Sequence, residues 1–332
     1  MRPLHIAIIG CGRMGRERAR CIQSLQHDLS FVVDTDVSRA MNLAQEYGAQ
    51  VIADVDMCLE SGVDALFLCT PPGLRGSVLD ACVNYRVPFL VEKPIGISAA
   101  QSSALAVQVH RSELVHAVGY MNRYRRSVMF AKELVRASKV IGIAAHWVCS
   151  RYKAPWVDDE HLSGGPYNDQ AIHLVDLSRF LIGEVEEVQA TFQTAERAAW
   201  LLRFDSGAIA NIFYSCEARA KDIQLEAFTE QGTLRLTGWN FQLTSNTIDG
   251  TYPDDLVEDI FLIETKAFLD SVRSGDTDRL RCGMQDALAT QRVIDATRQS
   301  HSLGRSVSVA KPPTEQICDV VNGWGRMEGE VG

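Results

Sequence analysis

Three short stretches of this chain carry residue types that can do chemistry together. The first is Gly10-Cys11-Gly12-Arg13-Met14-Gly15, a G-x-G-x-x-G set between an apolar run and a stretch of helical pattern. In that setting the glycines give a tight turn, let backbone approach a pyrophosphate, and pack helix on strand. The pyrophosphate then rests on the unpaired N–H groups and the positive dipole end of the helix. An acidic residue is needed at the end of the second strand, about 20 residues on, and Asp34 stands there. Its carboxylate would accept from an adenosine ribose and repel a 2′-phosphate. The cofactor expected is therefore NAD, with NADP the lesser alternative because Arg39 could reach a phosphate.

The second stretch is Glu92-Lys93-Pro94, directly after the apolar run Val87–Val91. Ligands of open α/β sheets bind outside the carboxyl ends of strands, so Lys93 would aim its ammonium at the nicotinamide end of a dinucleotide. Such a group hydrogen-bonds a hydroxyl and stabilises the charge that develops as its oxygen loses a proton. Pro94 stiffens the chain beside it. The third stretch runs Gly164-Gly165-Pro166-Tyr167-Asn168-Asp169-Gln170-Ala171-Ile172-His173 and reads as a helix start with proline in its first turn. Asp169 and His173 are four residues apart and project from one helix face. A histidine takes a proton from an alcohol near neutral pH, and a carboxylate beside it orients the ring and supports its cationic form. Asp176 reads as a second orienting partner or as a surface charge.

Two kinds of element must hold these residues. Up to about residue 120, apolar runs at Leu4–Ile9, Leu29–Val33, Ala65–Cys69, Val87–Val91 and Leu114–Val118 alternate with helical stretches at Met14–His27, Ser38–Tyr47, Leu74–Tyr85 and Ser98–Arg111. Strands without in/out alternation, separated by helices, predict a doubly wound parallel sheet covered on both faces. Beyond it come strand-like runs at Val140–Ser150, Val185–Thr194, Ala199–Phe204, Ala208–Cys216, Ile223–Thr229 and Thr233–Thr237. Gly-containing turns such as Asp205-Ser206-Gly207 and Glu230-Gln231-Gly232 join them, predicting a largely antiparallel sheet. Helical patterns follow at Asp259–Ser274 and Met284–His301, the first with Ile260, Ile263, Ala267, Phe268 and Val272 on one face. The expected division is residues 1–122, a dinucleotide-binding α/β unit, and 123–332, an α+β unit for substrate binding and oligomerisation.

Composition bounds what such a protein does. The 332 residues suit two domains. With 33 Lys and Arg against 42 Asp and Glu, the formal charge of −9 argues against broad nucleic-acid binding and gives no pull toward an anionic membrane. No apolar run approaches the roughly 18 residues of a membrane span, and Ile6–Ile9 is too short for a signal peptide. Nine cysteines, scattered from Cys11 to Cys318 with no Cys-x-x-Cys pair, fit a reducing compartment; the expected location is cytoplasmic. His110 and Glu113 have metal-like spacing without a third ligand, so no metal is expected.

Where the three motifs meet, the sequence resembles the glucose–fructose oxidoreductase / inositol dehydrogenase / MocA-like (Gfo/Idh/MocA) family. The resemblance spans nearly the whole chain, from the Gly10 loop through "TPPGLRGSVLDACVNYRVPFLVEKPIG" and "GGPYNDQAIHLVDL" to "ETKAFLDSVRSG". It implies a Rossmann domain followed by a domain with an open sheet that mediates dimer or tetramer formation. It also implies oxidation of a secondary hydroxyl on a sugar, inositol or related polyol, with Lys93, Asp169 and His173 as the catalytic set. Thr70, Pro71 and Glu92 join Gly10, Gly12, Arg13, Met14, Gly15, Asp34 and Lys93 around the cofactor. A cis Lys93–Pro94 bond is often found in such folds. Three positions depart from the pattern: Arg75 where a histidine is frequent, Ala171 for a glycine, and Pro166 within a turn that is often all glycine. The loop around Arg75 is thus expected to meet cofactor or substrate in its own way.

The expected mechanism has His173 as general base, Lys93 on the reacting oxygen, and Asp169 orienting substrate or histidine. Arg123, in the basic cluster Asn122–Arg126, and Trp156, near Arg151, Tyr152 and Lys153, are the further candidates for substrate contact. In the Ala208–Cys216 strand, Ala210, Ile212 and Tyr214 form one apolar face while Ile209 and Phe213 make the other apolar too. That pattern predicts a second subunit over the open face. Alternatives of other classes are a sugar-modifying enzyme with resident NAD (elimination or epimerisation) and a non-catalytic dinucleotide-sensing regulator.

Overall fold

A computed structural model describes residues 2–246 and 258–309. The first sheet is fully parallel and is made of β1 (His5–Ile9), β2 (Asp28–Val33), β3 (Gln50–Val51), β4 (Ala65–Leu68), β5 (Phe89–Glu92) and β6 (His116–Gly119). Its order is β3-β2-β1-β4-β5-β6. The order reverses between β1 and β4, which opens a ligand crevice at their carboxyl ends. Five helices connect these strands: α1 (Arg13–Ser24), α2 (Val37–Tyr47), α3 (Val55–Glu60), α4 (Gly76–Asn84) and α5 (Ala99–Ser112). Asp36, Asp54 and Ser98 cap three of them by accepting from first-turn N–H groups, which satisfies donors that a helix start leaves open. All four residues of β4 are buried, as are those of β5, because helices lie on both faces.

The second sheet has eight strands in the order β13-β12-β11-β7-β10-β9-β8-β14. These are β7 (Val140–Ser150), β8 (Val185–Thr194), β9 (Arg197–Phe204), β10 (Ile209–Ser215), β11 (Glu217–Thr229), β12 (Gly232–Thr237), β13 (Gln242–Ser245) and β14 (Val307–Ser308). All its pairings are antiparallel except β7 with β10. The helices here are α6 (Arg126–Arg136), α7 (Glu160–Ser163), α8 (Pro166–Gln170), α9 (Ile172–Ile182), α10 (Ile260–Ser274) and α11 (Met284–Leu303). Ala210, Ile212 and Tyr214 point into the core, whereas Ile209, Phe213 and Leu201 on the other face are 50%, 40% and 43% exposed.

Helix α10 crosses back to the first sheet. Phe268 and Leu269 pack in the same apolar cluster as Ile6, Ile8 and Phe67, with Phe268 edge-on to Phe67. The expected buried face of this helix needs one correction: Ile263 is exposed, and the polar Glu264 and Thr265 are fully buried in its place. They face α1, where Arg18 donates to Glu264 Oε2 at 2.5 Å and to Thr265 Oγ1 at 3.0 Å. The eight cysteines within the described residues carry no disulfide, and Cys318 lies outside them. Among the described residues no helix is long and apolar enough to cross a membrane.

Candidate active site

The Gly10 loop turns from β1 into α1 at the crevice. Gly10 has φ +96°, and a Cβ on it would lie 2.8 Å from the Cys69 carbonyl carbon; on Gly15 it would lie 2.1 Å from Gly10 O. A Cβ on Gly12 meets no protein atom within 4 Å. Protein atoms thus press on two of these glycines and leave space over the third, beside an α1 start without a side-chain cap. Asp34 fastens the loop, its Oδ2 accepting from Cys11 N at 2.6 Å and its Oδ1 from Asp36 N at 2.8 Å. At the end of β4 the Thr70 hydroxyl is buried without a hydrogen-bond partner. Open space at a helix start, an acidic strand end and an orphaned hydroxyl together fit a dinucleotide. Met14 is half-buried and Pro71 lines the same edge, next to Thr70. Arg13 is exposed and lies over the Tyr152 ring at 5.4 Å. Arg39 is held by Asp36 at 3.0 Å on the surface.

Lys93 follows β5, with a cis bond to Pro94. Its Nζ donates to the Asp169 backbone oxygen and to Asp169 Oδ1, both at 2.7 Å. Guanidinium groups hold the flanks of this triplet. Arg18 donates from Nε to the Glu92 carboxylate at 2.9 Å. Burial pushes the nearby Glu264 carboxyl up to about 7 despite Arg18, since Glu92 already supplies a negative charge there. Arg75 donates to Thr70 O from Nε at 3.0 Å and from Nη2 at 2.6 Å, and from Nη1 to the carbonyls of Glu92 and Pro94. The Arg75 side chain itself is buried and grips backbone on both sides of Lys93.

Asp169 and His173 follow Pro166, but the helix is interrupted at Ala171 between α8 and α9. Asn168 anchors the segment, donating to Ser163 O at 2.9 Å and accepting from Gln291 Nε2 of α11 at 3.0 Å. The carboxylate pairs with Lys93 rather than with the imidazole. His173 is buried, stacked on Trp147 with ring centres 5.3 Å apart, and edge-on to Tyr120. Asn122 Nδ2 lies 3.5 Å from its Nδ1. Burial holds its pKa well below the usual imidazole value, and the positive charges of Lys93, Arg125 and Arg13 push the same way. His173 is thus a neutral ring at physiological pH, able to accept a proton.

Of the two further candidates for substrate contact, one is taken up in the core. Arg123 is buried and forms a paired contact with Asp176, from Nε at 3.0 Å and Nη2 at 2.6 Å, while Nη1 serves Asp286 and Arg281 O. It is a core ion pair, and Asp176 is its partner instead of a partner of His173. Trp156 is half-buried beside Tyr152, 6.4 Å between ring centres, on the segment that faces Arg13. The aromatic wall at His173 is Trp147, with Trp239 edge-on to it at 6.2 Å. Neither was singled out from the sequence, because a tryptophan within a strand or a hairpin tip looks like ordinary core. His110 and Glu113 are exposed at the end of α5.

Residues 4–120 match the model of an oxidoreductase family with an NAD-binding Rossmann fold, and 130–235 match the Gfo/Idh/MocA C-terminal domain. The chain belongs to the Gfo/Idh/MocA family. It is an oxidoreductase of that family with an NAD-binding domain. A myo-inositol 2-dehydrogenase of Thermotoga maritima is 25% identical over 300 residues, covering 82% of this chain and 89% of that one. Solved structures share the fold, among them two with bound dinucleotide. GenD2 from gentamicin A biosynthesis, in complex with NAD, has TM-score 0.83 and 23% identity, covering 94% of this chain and 97% of its own. The WlbA dehydrogenase of Bordetella pertussis, with NADH and UDP-GlcNAcA, has TM-score 0.83 and 19% identity, covering 94% and 100%.

Proposed function

We propose that this family member catalyses reversible hydride transfer between a secondary hydroxyl of a sugar, inositol or related polyol and NAD, as a cytoplasmic homo-oligomer. The observation that carries the reading is the Lys93–Asp169 pair together with a buried His173 that feels the Lys93 charge and is held neutral by its burial. The inositol dehydrogenase among its relatives supports the substrate class. Gly10, Gly12, Gly15 and the α1 start would hold the pyrophosphate, Asp34 the ribose, and Thr70 and Pro71 the edge toward nicotinamide. NAD, when bound, supplies the hydride acceptor.

The chain's own groups do the proton work. His173 takes the hydroxyl proton, for which burial keeps it unprotonated. Lys93 donates a hydrogen bond to that oxygen and stabilises its growing negative charge. Asp169 fixes Lys93 through both its carboxylate and its carbonyl, so its orienting role falls on the lysine. Trp147 locks the imidazole plane by stacking. The half-exposed Ile209, Leu201 and Phe213 give the second sheet an apolar outer face that a second copy would cover.

The test is a panel of sugars and polyols assayed with NAD and NADP at the nicotinamide absorbance, with NADH affinity measured by fluorescence. His173→Ala and Lys93→Met should each lower turnover by about a hundred- to ten-thousandfold while NADH still binds. Wild-type turnover in either variant refutes the assignment. NAD that stays bound through purification, without net NADH release, would favour the resident-cofactor alternative.

A further inference from the structure

Among the described residues five arginines are buried: Arg18, Arg75, Arg123, Arg125 and Arg179. A buried charge is costly unless it is paired and hydrogen-bonded. Arg18 meets Glu92 and Glu264, Arg123 meets Asp176 and Asp286, and Arg179 meets Glu184 and Asp286. Arg75 is saturated by the carbonyls of Thr70, Glu92 and Pro94. Arg125 differs from all four. It is 3% exposed, and its Nε donates to Asn122 Oδ1 and its Nη2 to Trp239 O, both at 2.9 Å. Among the described residues its Nη1 has no hydrogen-bond partner and no carboxylate pairs with the group. Glu258 acts on it only at longer range, since that carboxylate accepts from Arg126 N at 3.0 Å and lies 3.7 Å from Arg126 Nε.

This cation, without a carboxylate partner among the described residues, has a specific location. Asn122, which receives Arg125 Nε, also reaches His173, and Trp239 stands against Trp147 on which His173 stacks. Lys221 Nζ lies 4.3 Å over the Trp239 ring, adding a cation at the rim. The charged groups that act on His173 among the described residues are the cations Lys93, Arg125 and Arg13, and the Asp169 carboxylate is engaged by Lys93. We propose that the substrate carries an anionic oxygen group, a carboxylate or a phosphate, that pairs with Arg125 beside the hydroxyl served by His173. This rests on the hydride-transfer reading and narrows its substrate from polyols in general to acidic ones.

Matched compounds test it: glucose against gluconate, glucuronate and glucose 6-phosphate, and myo-inositol against its monophosphate. The wild type should favour the anionic member in kcat/KM by about ten- to a hundredfold, the worth of one charge-assisted contact. The carboxylates and the phosphates are separate arms that identify the anion. Arg125→Gln should collapse the anionic-to-neutral ratio through KM, and Arg125→Lys should restore part of it. A role confined to orienting Asn122 would instead lower kcat equally for both members. Tryptophan fluorescence, reporting on Trp239 and Trp147, follows binding of the same compounds without turnover. Arg125-dependent binding of anions with no nicotinamide reduction would support the anion site and refute the hydride reading. Turnover favouring neutral members, or a ratio unchanged in Arg125→Gln, overturns the proposal and leaves the hydride reading intact.

Discussion

Replacing Arg75 by methionine should misplace Lys93 without touching any catalytic group. The guanidinium makes four donor contacts to three backbone carbonyls, those of Thr70, Glu92 and Pro94. It therefore ties the edge of β4 to both peptide neighbours of Lys93. Each buried carbonyl left unsatisfied costs about 1–3 kcal/mol. Burial also disfavours this cation, lowering its pKa to about 10, so removing it offsets part of that cost. A net loss of about 2–4 kcal/mol is expected, which a chain of this size should survive at moderate temperature. The larger effect is on chemistry, because a shift of about 1 Å in a reacting group costs on the order of a hundredfold in rate. The assay compares kcat, KM and NADH affinity well below the melting temperature, with circular dichroism to confirm the fold. kcat should fall by about a hundredfold with KM nearly constant, and millimolar guanidinium chloride, against a sodium chloride control, should restore part of it. Arg75→Lys should remain impaired, since one ammonium cannot span three carbonyls in the fixed geometry of a guanidinium. A folded Arg75→Met enzyme with wild-type kcat, or an equal rescue by sodium chloride, refutes the positioning role.

Three further outcomes follow from named contacts. Gly12→Ala should fold as the wild type, because its Cβ meets no protein atom within 4 Å, yet NADH affinity should drop at least about tenfold as the methyl enters the pyrophosphate space; unchanged affinity would remove the cofactor from this loop. The lowered pKa of His173 means the neutral base persists as pH falls, so the acid limb of kcat/KM should lie below 6.5, and a limb above that value would contradict its buried, cation-flanked setting. Phe213→Asp, on the outer face of the second sheet, should shift sedimentation from oligomer to monomer; a wild-type protein that is already monomeric at micromolar concentration would refute the covered face.

What the sequence makes legible is apolar periodicity, because it is local. The strands at Leu4–Ile9, Val140–Ser150 and Val185–Thr194 emerge with bounds close to those read directly. β3 does not, since Gln50-Val51 is an exposed two-residue edge with no pattern to carry it. Polar residues are harder, because their partners are distant in sequence. Glu264 looks like the wet side of a helix until Arg18, 246 residues away, is brought against it. Arg123 looks like part of a solvated basic cluster, yet its acids come from 53 and 163 residues further along. Asp169, read from the sequence as orienting either the substrate or His173, shows why sound local geometry leaves a partner open. The four-residue spacing to His173 is real, but 76 residues earlier the chain places an ammonium 2.7 Å from the same carboxylate. A carboxylate pairs more strongly with an ammonium than with an imidazole that burial keeps neutral. Choosing between them requires knowing that the ring is stacked on Trp147 and lies within the influence of the positive charges of Lys93, Arg125 and Arg13. That information belongs to the closed fold, and it is what shows the Asp169 carboxylate paired with Lys93.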